Sequence, residues 1–562
     1  MSPDSKPDDH AYALILRGPE ALQQYLISFP LEPVGNEVER LDLASWRRDS
    51  EDSDETTWFK AWHLGLPIFP SLEFEPHPND LLQFKPDTAR RLRAIPLLHW
   101  KGRLAVAVEN PDDEETLREL RFVSSHRVVP ILASPHVIRE GIARCYDRSE
   151  DMAIVQILGL DPQSAYVETS ERDMERLARE QPVVRIVAAM IASAAQRRAS
   201  DIHLRPSEHG TDILFRIDDE MVAVRRLIRA LHAPVVSRIK VLANMNLAEH
   251  RRPQDGRTSF EMSDGRKVDL RISVLPAVHG ESVVIRLLDA RDGLLTIDQL
   301  GLHTEDRQRL NDVMARSHGM FLTTGPTGSG KSTTLCAMLQ ELRKQRINIL
   351  TIEEPVEYYI DNIQQMQVNR TVGFTFASAL RNFLRHDPDV IMVGEIRDKE
   401  TASIAVESAL TGHLLLSTLH TNSAASSVTR LIDLGVEPFL ARASLLAVMS
   451  QRLVRVTCPH CKTVEEIDAH IRKTLEIDKA EVFYVGRGCL RCEGLGVKGR
   501  QAIHELLVVT PAIQKLIVPS ANADVIHRAA VKEGMTSMTV AAVDLARKGV
   551  ISLAEAWRVR VD

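Results

Sequence analysis

The sequence predicts an α/β multidomain protein organised around a parallel-sheet phosphate-loop domain, and three observations predict it. Residues 325–334 read GPTGSGKSTT, in which Gly325, Gly330, Lys331 and Ser332 fill the pattern G-x-x-x-x-G-K-[ST]. Downstream, two apolar runs each end in carboxylates, one at Glu353–Glu357 and one at Glu395. Two Cys-x-x-Cys pairs come after them, Cys458 with Cys461 and Cys489 with Cys492.

The totals bound the rest. A chain of 562 residues has room for three or four domains, and 44% hydrophobic with 26% charged residues is the composition of an ordinary globular protein. A formal charge of -7 argues against a broad basic surface that wraps nucleic acid. The opening MSPDSKPDDH is polar and acidic, unlike a secretory signal, and the longest helical apolar stretch, Ile186–Ala195, is too short to span a bilayer. A cytoplasmic chain is expected, meeting the membrane only through partners.

Residues 1–150 read as an α/β docking domain. Apolar runs at Ala94–Leu98 and Leu104–Val108 join around Lys101-Gly102, and a charged helix is expected near Glu114–Arg121. The acidic run Asp49–Glu55 suggests a loop. Residues 151–181 read as a linker: from Asp161 to Gln181 the sequence turns polar and charged with no apolar face visible, and at most a short helix is expected there. Residues 182–290 form the next domain: an amphipathic helix from Pro182 to Ala195, then alternating strands. Ile213, Phe215 and Ile217 share one face, as do Val268, Leu270 and Ile272 after a Ser263-Asp264-Gly265 turn. Arg271 therefore points away from the core face, and Arg286 is the one charge in the apolar run Val283–Leu288. A surface salt bridge is the plain reading of each.

After a second linker, 291–302, residues 303–457 hold the phosphate loop. Its glycines (Gly325, Gly328, Gly330), with Pro326, Thr327 and Ser329 between them, let backbone N–H groups turn inward on an anion. Lys331 supplies a compact cation, and Ser332 a hydroxyl for Mg²⁺ next to Thr333. The apolar Met320–Leu322 reads as the preceding strand, and Leu335, Met338, Leu339 and Leu342 fall at helical spacing, so a triphosphate would sit on a helix N-terminus. Ile347–Ile352 and Val390–Val393 read as strands ending in Glu353-Glu354-Pro355-Val356-Glu357 and in Gly394-Glu395, carboxylates of which one would activate water and another hold Mg²⁺ through its water shell. His413 and His420 bracket another apolar strand and suggest a role in sensing phosphate. On a helix expected over Ala377–Arg385, Arg381 and Arg385 share a face and would welcome an anion between them; a solvated basic face is the plainer alternative.

In a reducing compartment the four paired cysteines read better as thiolate ligands of a structural Zn²⁺ than as disulfides, which defines a module over 458–500. Cys145 and Cys336 read as small buried hydrophobes. Residues 501–562 are expected to be short packing helices.

From about Pro182 onward the motifs resemble those of the secretion and type IV pilus assembly ATPase family. The family's phosphate loop is similar to Gly325–Thr333, its Asp box to Thr351–Tyr358, its Walker B segment to Arg385–Asp398 and its His box to Thr411–Thr421. Ala199–His203, Pro253–Arg257 and Val268–Pro276 are similar to the domain that precedes its motor. The resemblance implies a RecA-like ATPase domain preceded by a PAS-like α+β domain, with ATP, Mg²⁺ and Zn²⁺ as cofactors. It further implies Lys331 and Ser332 on phosphate and Mg²⁺, Glu357 activating water, Glu395 on the metal side, and His413 and His420 sensing the γ-phosphate. Arg271, Arg286, Arg381 and Arg385 would neutralise transition-state charge, some of them across subunits of a homo-hexamer, which would account for arginines lacking local partners. Implied partners are the inner-membrane platform proteins of a secretion or pilus system, gripped by the N-terminal domain from the cytoplasmic side.

Four positions depart from the family pattern. Glu354 stands where Asp is usual, Arg198 and Asp219 where glycine is usual, and Arg205 where Glu is usual. No convincing form of the N-terminal repeat that relatives use for cyclic di-GMP is visible, so that ligand is not expected. A type II secretion ATPase is the leading reading and pilus extension the near alternative. A RecA-like nucleic-acid motor is the remote one, since a nucleic-acid groove needs stacking aromatics and these make up only 5% of the chain. A nucleotide-controlled adaptor without useful hydrolysis is a third possibility.

Overall fold

The computed structural model describes residues 12–28, 39–42, 55–70, 76–161, 171–262, 264–289, 295–492 and 494–560. They form two compact units, one holding Met1–Leu287 and the other most of Leu288–Asp562.

The first unit opens with the antiparallel pair β1 (Tyr12–Ile15) and β2 (Glu39–Asp42). The expected hairpin is present as β3 (Ala94–Trp100) and β4 (Arg103–Val108), turning through Lys101 and Gly102 at φ 48° and 79°. A helix at Glu114–Ser124 then crosses to β5 (Arg127–Leu132), which lies parallel to β4. Asp113 starts this helix, its carboxylate accepting the Glu115 and Thr116 N–H groups. Residues 49–54 of the acidic run lie outside the described residues.

Among its described residues, the linker expected over 151–181 is largely helical. A helix at Arg148–Leu158 runs through residue 150, and its Asp151 is wholly buried, paired with Arg225 and accepting the Ile228 N–H at 2.9 Å. The next helix, Glu171–Arg179, does have an apolar face: Met174, Leu177 and Ala178 are buried. Three apolar positions at i, i+3 and i+4 suffice to pack a short helix, and the charges around them hid the stripe.

Beyond it stand β6 (Asp201–Ser207), β7 (Gly210–Ile217), β8 (Glu220–Leu227), β9 (Gln254–Glu261), β10 (Lys267–Ala277) and β11 (Gly280–Asp289). They make one six-stranded sheet in the order β8-β7-β6-β11-β10-β9. Both expected apolar triplets are buried, and helices Gln181–Gln196 and Arg229–Leu242 belong to the same core. Ser263 of the expected turn lies outside the described residues, while its Gly265 has φ 78°.

The two lost glycines leave the turn geometry intact, because Arg198 and Asp219 themselves adopt φ 54° and 69°. Arg198 sits just past the end of helix Gln181–Gln196, where a left-handed residue closes the last turn and glycine is favoured. Holding a side chain in that region costs about 1 kcal/mol. Arg198→Gly is therefore expected to raise the midpoint of the first thermal unfolding transition; an unchanged or lower midpoint would mean the position is not strained.

The second unit is built on β12 (Gly319–Thr324), β13 (Ile349–Glu353), β14 (Gln364–Gln367), β15 (Val390–Val393), β16 (Leu414–Leu419), β17 (Leu445–Thr457) and, after the short β18 (Lys462–Val464) and β19 (Tyr484–Gly486), β20 (Val497–Val508). The order is β14-β13-β15-β16-β12-β17-β20, parallel except for the antiparallel pair β17–β20. Its strands read as near-continuous apolar runs because helices cover both faces. The C-terminal region expected to be all helical begins instead with most of β20. Its buried part is only residues 503–507, with His504 and Glu505 inside the run, too short to show a strand pattern. Glu505 is tolerated there because it accepts the Ala424 N–H at 2.9 Å and the Met538 N–H at 3.2 Å. The expected short helices come next, at Ala523–Lys532, Met538–Arg547 and Leu553–Arg558.

Candidate nucleotide and metal sites

Parallel strands end together, so the segments leaving their C-terminal ends share one edge. The register aligns Thr324 with Leu419, Ile352 with Val393, and Val393 with Ser417. The phosphate loop after β12, the Glu353–Glu357 segment after β13, Gly394-Glu395 after β15 and His420 after β16 are therefore gathered at a single edge.

The loop is shaped for an anion. Gly325, Gly328 and Gly330 have φ 141°, 80° and 87°, and a Cβ on Gly325 would lie 2.4 Å from the Gln451 carbonyl oxygen. Helix Lys331–Leu342 starts directly behind Gly330, with Ser332 exposed in its first turn. Lys331 Nζ donates to the carbonyl oxygens of Gly325 at 2.8 Å and Pro326 at 3.0 Å. Burial lowers the Lys331 pKa, opposed by the charges of Glu395 and Glu357, so both expected catalytic carboxylates lie within electrostatic reach of the loop lysine.

Each carboxylate at this edge has a different setting. Glu353, at the end of β13, is buried and accepts from Thr351 Oγ1 at 2.8 Å and Gln365 Nε2 at 3.1 Å; burial, reinforced by the charge on Glu357, raises its pKa. Glu354 is clamped by both nitrogens of an Arg370 fork at 2.7 and 2.8 Å, which lowers its pKa. Glu395 lies between Arg397 at 2.5 Å and His420 Nε2 at 3.4 Å, and Arg397 also reaches Glu354 at 3.7 Å. The longer arm of Glu354 is thus accommodated by two guanidiniums. Sequence reasoning missed Arg370, for which no motif gave a signal, and Arg397, which lies inside the Arg385–Asp398 stretch but was not singled out.

Two expectations change. His413 lies just before β16 and His420 just past its end, which separates them by roughly 20 Å of strand. The His413 imidazole hydrogen-bonds the Ser408 carbonyl at 3.0 Å, at the edge opposite the loop, so bracketing a strand put the two histidines at opposite edges. The arginines do have partners in their own chain. Arg286 pairs with Asp201 at 2.9 Å and Arg381 with Glu400, while Arg385, in the turn beyond the actual helix end at Phe383, donates to the Arg381 carbonyl at 3.0 Å and to Asn382. Arg271 lies on the outer sheet face as expected, opposite Arg257.

The cysteine module is assembled by strand pairing. β18 begins right after Cys461 and β19 ends shortly before Cys489, so pairing Lys462 with Gly486 brings the two loops together. The four sulfur atoms lie within 4.8 Å of one another. Tetrahedral Zn–S bonds of about 2.3 Å require sulfur separations near ~3.8 Å, and Cys489 and Cys492 stand at 3.7 Å. Backbone N–H groups of Gly488 and Cys489 donate to the sulfurs of Cys461 and Cys492 at 3.3 and 3.1 Å, as thiolates favour. The set fits zinc. Cys336 is buried apart from it, which pushes its thiol up to about 12, and Cys145 is half-buried.

Among the described residues no helix is long and apolar enough to cross a membrane. Residues 176–558 match the family described as type II/IV secretion system protein, and residues 64–152 match the MshEN domain, within the segment first read as a docking domain. The type II secretion system ATPase E of Vibrio cholerae is 43% identical over 457 residues, covering 80% of this chain and 90% of the relative. The type IV pilus assembly ATPase PilB of Myxococcus xanthus is 37% identical over 526 residues, covering 92% and 93%. Among solved structures, the ATPase DotB of Legionella pneumophila superposes with a TM-score of 0.52 at 23% identity over 66% of this chain and 94% of its own, a likeness of fold.

Proposed function

Because this chain belongs to the type II/IV secretion system protein family and is a P-loop ATP hydrolase, we propose that it is the hexameric motor of a type II secretion system. The observation that carries the reading is the convergence of Lys331, Glu357 and Glu395 on one sheet edge behind an anion-shaped loop. Residues 325–333 hold the phosphates, with Ser332 on the Mg²⁺ side. Glu357 takes the proton of the attacking water, and Glu395, paired with Arg397 and His420, would help hold the Mg²⁺. The metal, when bound, neutralises charge between the terminal phosphates.

Arg271, Arg286, Arg381 and Arg385 complete the pocket, some of them across a subunit boundary. Arg286 and Arg381 must exchange Asp201 and Glu400 for phosphate oxygens as they do so, which would couple pocket closure to domain movement. The cysteine module holds a structural Zn²⁺. The N-terminal domain grips an inner-membrane platform protein on the cytoplasmic face. The similarity to PilB over nearly the whole chain favours one second reading, pilus extension.

ATP turnover measured with and without acidic phospholipid and a cytoplasmic platform-protein domain tests the motor. Turnover is expected to rise severalfold with both present and to ignore single-stranded DNA. Stimulation by DNA alone would replace the secretion reading with a nucleic-acid motor.

A further inference from the structure

On β17, the strand beside β12, Gln451 stands one residue past the last aligned pair, Thr324 with Ser450, and so lies level with the start of the phosphate loop. Its side chain is buried, and its amide spans the loop. Nε2 donates to the Ser329 carbonyl at 2.6 Å, and Oε1 accepts from Thr334 Oγ1, in the first turn of the adjoining helix, at 2.9 Å. The loop's glycines fit closely around this residue: a Cβ at Gly325 would meet its carbonyl oxygen at 2.4 Å, and one at Gly330 its amide nitrogen at 3.1 Å.

We propose that Gln451 is the positioning residue of the phosphate loop. A trans peptide is planar, with its C=O and N–H on opposite sides. Fixing the Ser329 carbonyl outward on Gln451 therefore turns the Gly330 N–H inward, to the concave side where a phosphate oxygen belongs. The second bond, from Thr334, locks the amide's orientation, so that nitrogen and not oxygen faces the Ser329 carbonyl. An unbraced loop would have to order this peptide on binding, and the cost would appear as lost nucleotide affinity.

This inference rests on the nucleotide-binding reading, and the experiment separates the two. Equilibrium binding of ADP and ATP is measured with the full chain for the parent, Lys331→Ala, Gln451→Leu and Gln451→Glu, with KM and kcat determined alongside. Gln451→Glu keeps an acceptor for Thr334 but sets a carboxylate oxygen against the Ser329 carbonyl, and it stands in should the leucine variant fail to fold. Both Gln451 variants are expected to lose at least tenfold in ADP and ATP affinity together, with KM rising in step and kcat within about threefold of the parent. A folded Gln451 variant that keeps ADP affinity within twofold, or that loses kcat at unchanged KM, overturns the inference while Lys331→Ala still fails to bind. If the parent itself binds neither nucleotide, the nucleotide-binding reading falls first.

Discussion

Glu357→Gln is expected to leave nucleotide affinity within about twofold and to cut steady-state turnover by about 10²- to 10⁴-fold, the usual worth of a positioned general base. The amide matches the carboxylate in size, so packing is kept and only the proton acceptor is lost. Three other carboxylates share this edge, and their surroundings rank them as bases. Glu354 is tied up in an Arg370 fork, and Glu395 is held by Arg397 and His420. Glu353 is buried with two donors already on one of its oxygens, which hold it in place as a positioning group. Glu357 comes later, on the loop beyond β13, where its charge bears on both Lys331 and Glu353. Single-turnover hydrolysis and equilibrium binding on the same preparation separate chemistry from affinity. Turnover near the parent value would remove Glu357 from the mechanism and shift the search to Glu353.

How far the sequence could be read depended on whether the decisive interaction is local. The phosphate loop is defined by residues next to one another, and β12 and the helix after it form where the glycine spacing and apolar periodicity place them. The strand ends bearing Glu357 and Glu395 were legible for the same reason. Gln451 was not: its partners Ser329 and Thr334 lie more than a hundred residues earlier, and one glutamine within a strand carries no pattern. The error over His413 came from treating two ends of one strand as one place, although a strand of this length spans the sheet from edge to edge. β20 was hidden because only residues 503–507 of it are buried in a row, and no short-range rule separates so short a run from a helix segment. The surroundings of Arg286 show a further limit, since the partner that holds it, Asp201, sits on a strand far back in the chain.

Substituting Cys458 by Ser is expected to abolish tightly bound zinc and release the cysteine end of its module, a site whose metal binding is worth on the order of 10 kcal/mol in small zinc domains. β18 and β19 have only three residues each, and a two-stranded hairpin of that length does not persist alone in water. Its far end is anchored: Phe483 and Ile477 are buried in the same cluster as Met538, Ala542 and Val543. Loss of the metal should therefore fray the segment from the cysteine side, with new protease cleavage within residues 462–488, while the phosphate-loop domain keeps its nucleotide affinity. Cys336→Ala is the control, because that thiol lies buried in the phosphate-loop helix and takes no part in the cluster; it should retain full zinc content. Metal analysis of protein purified without added metal gives the direct check. About one zinc per chain in the parent and in Cys336→Ala, with none in Cys458→Ser, is the expected pattern. A clearly substoichiometric parent would reduce the four thiols to a cluster without a structural ion.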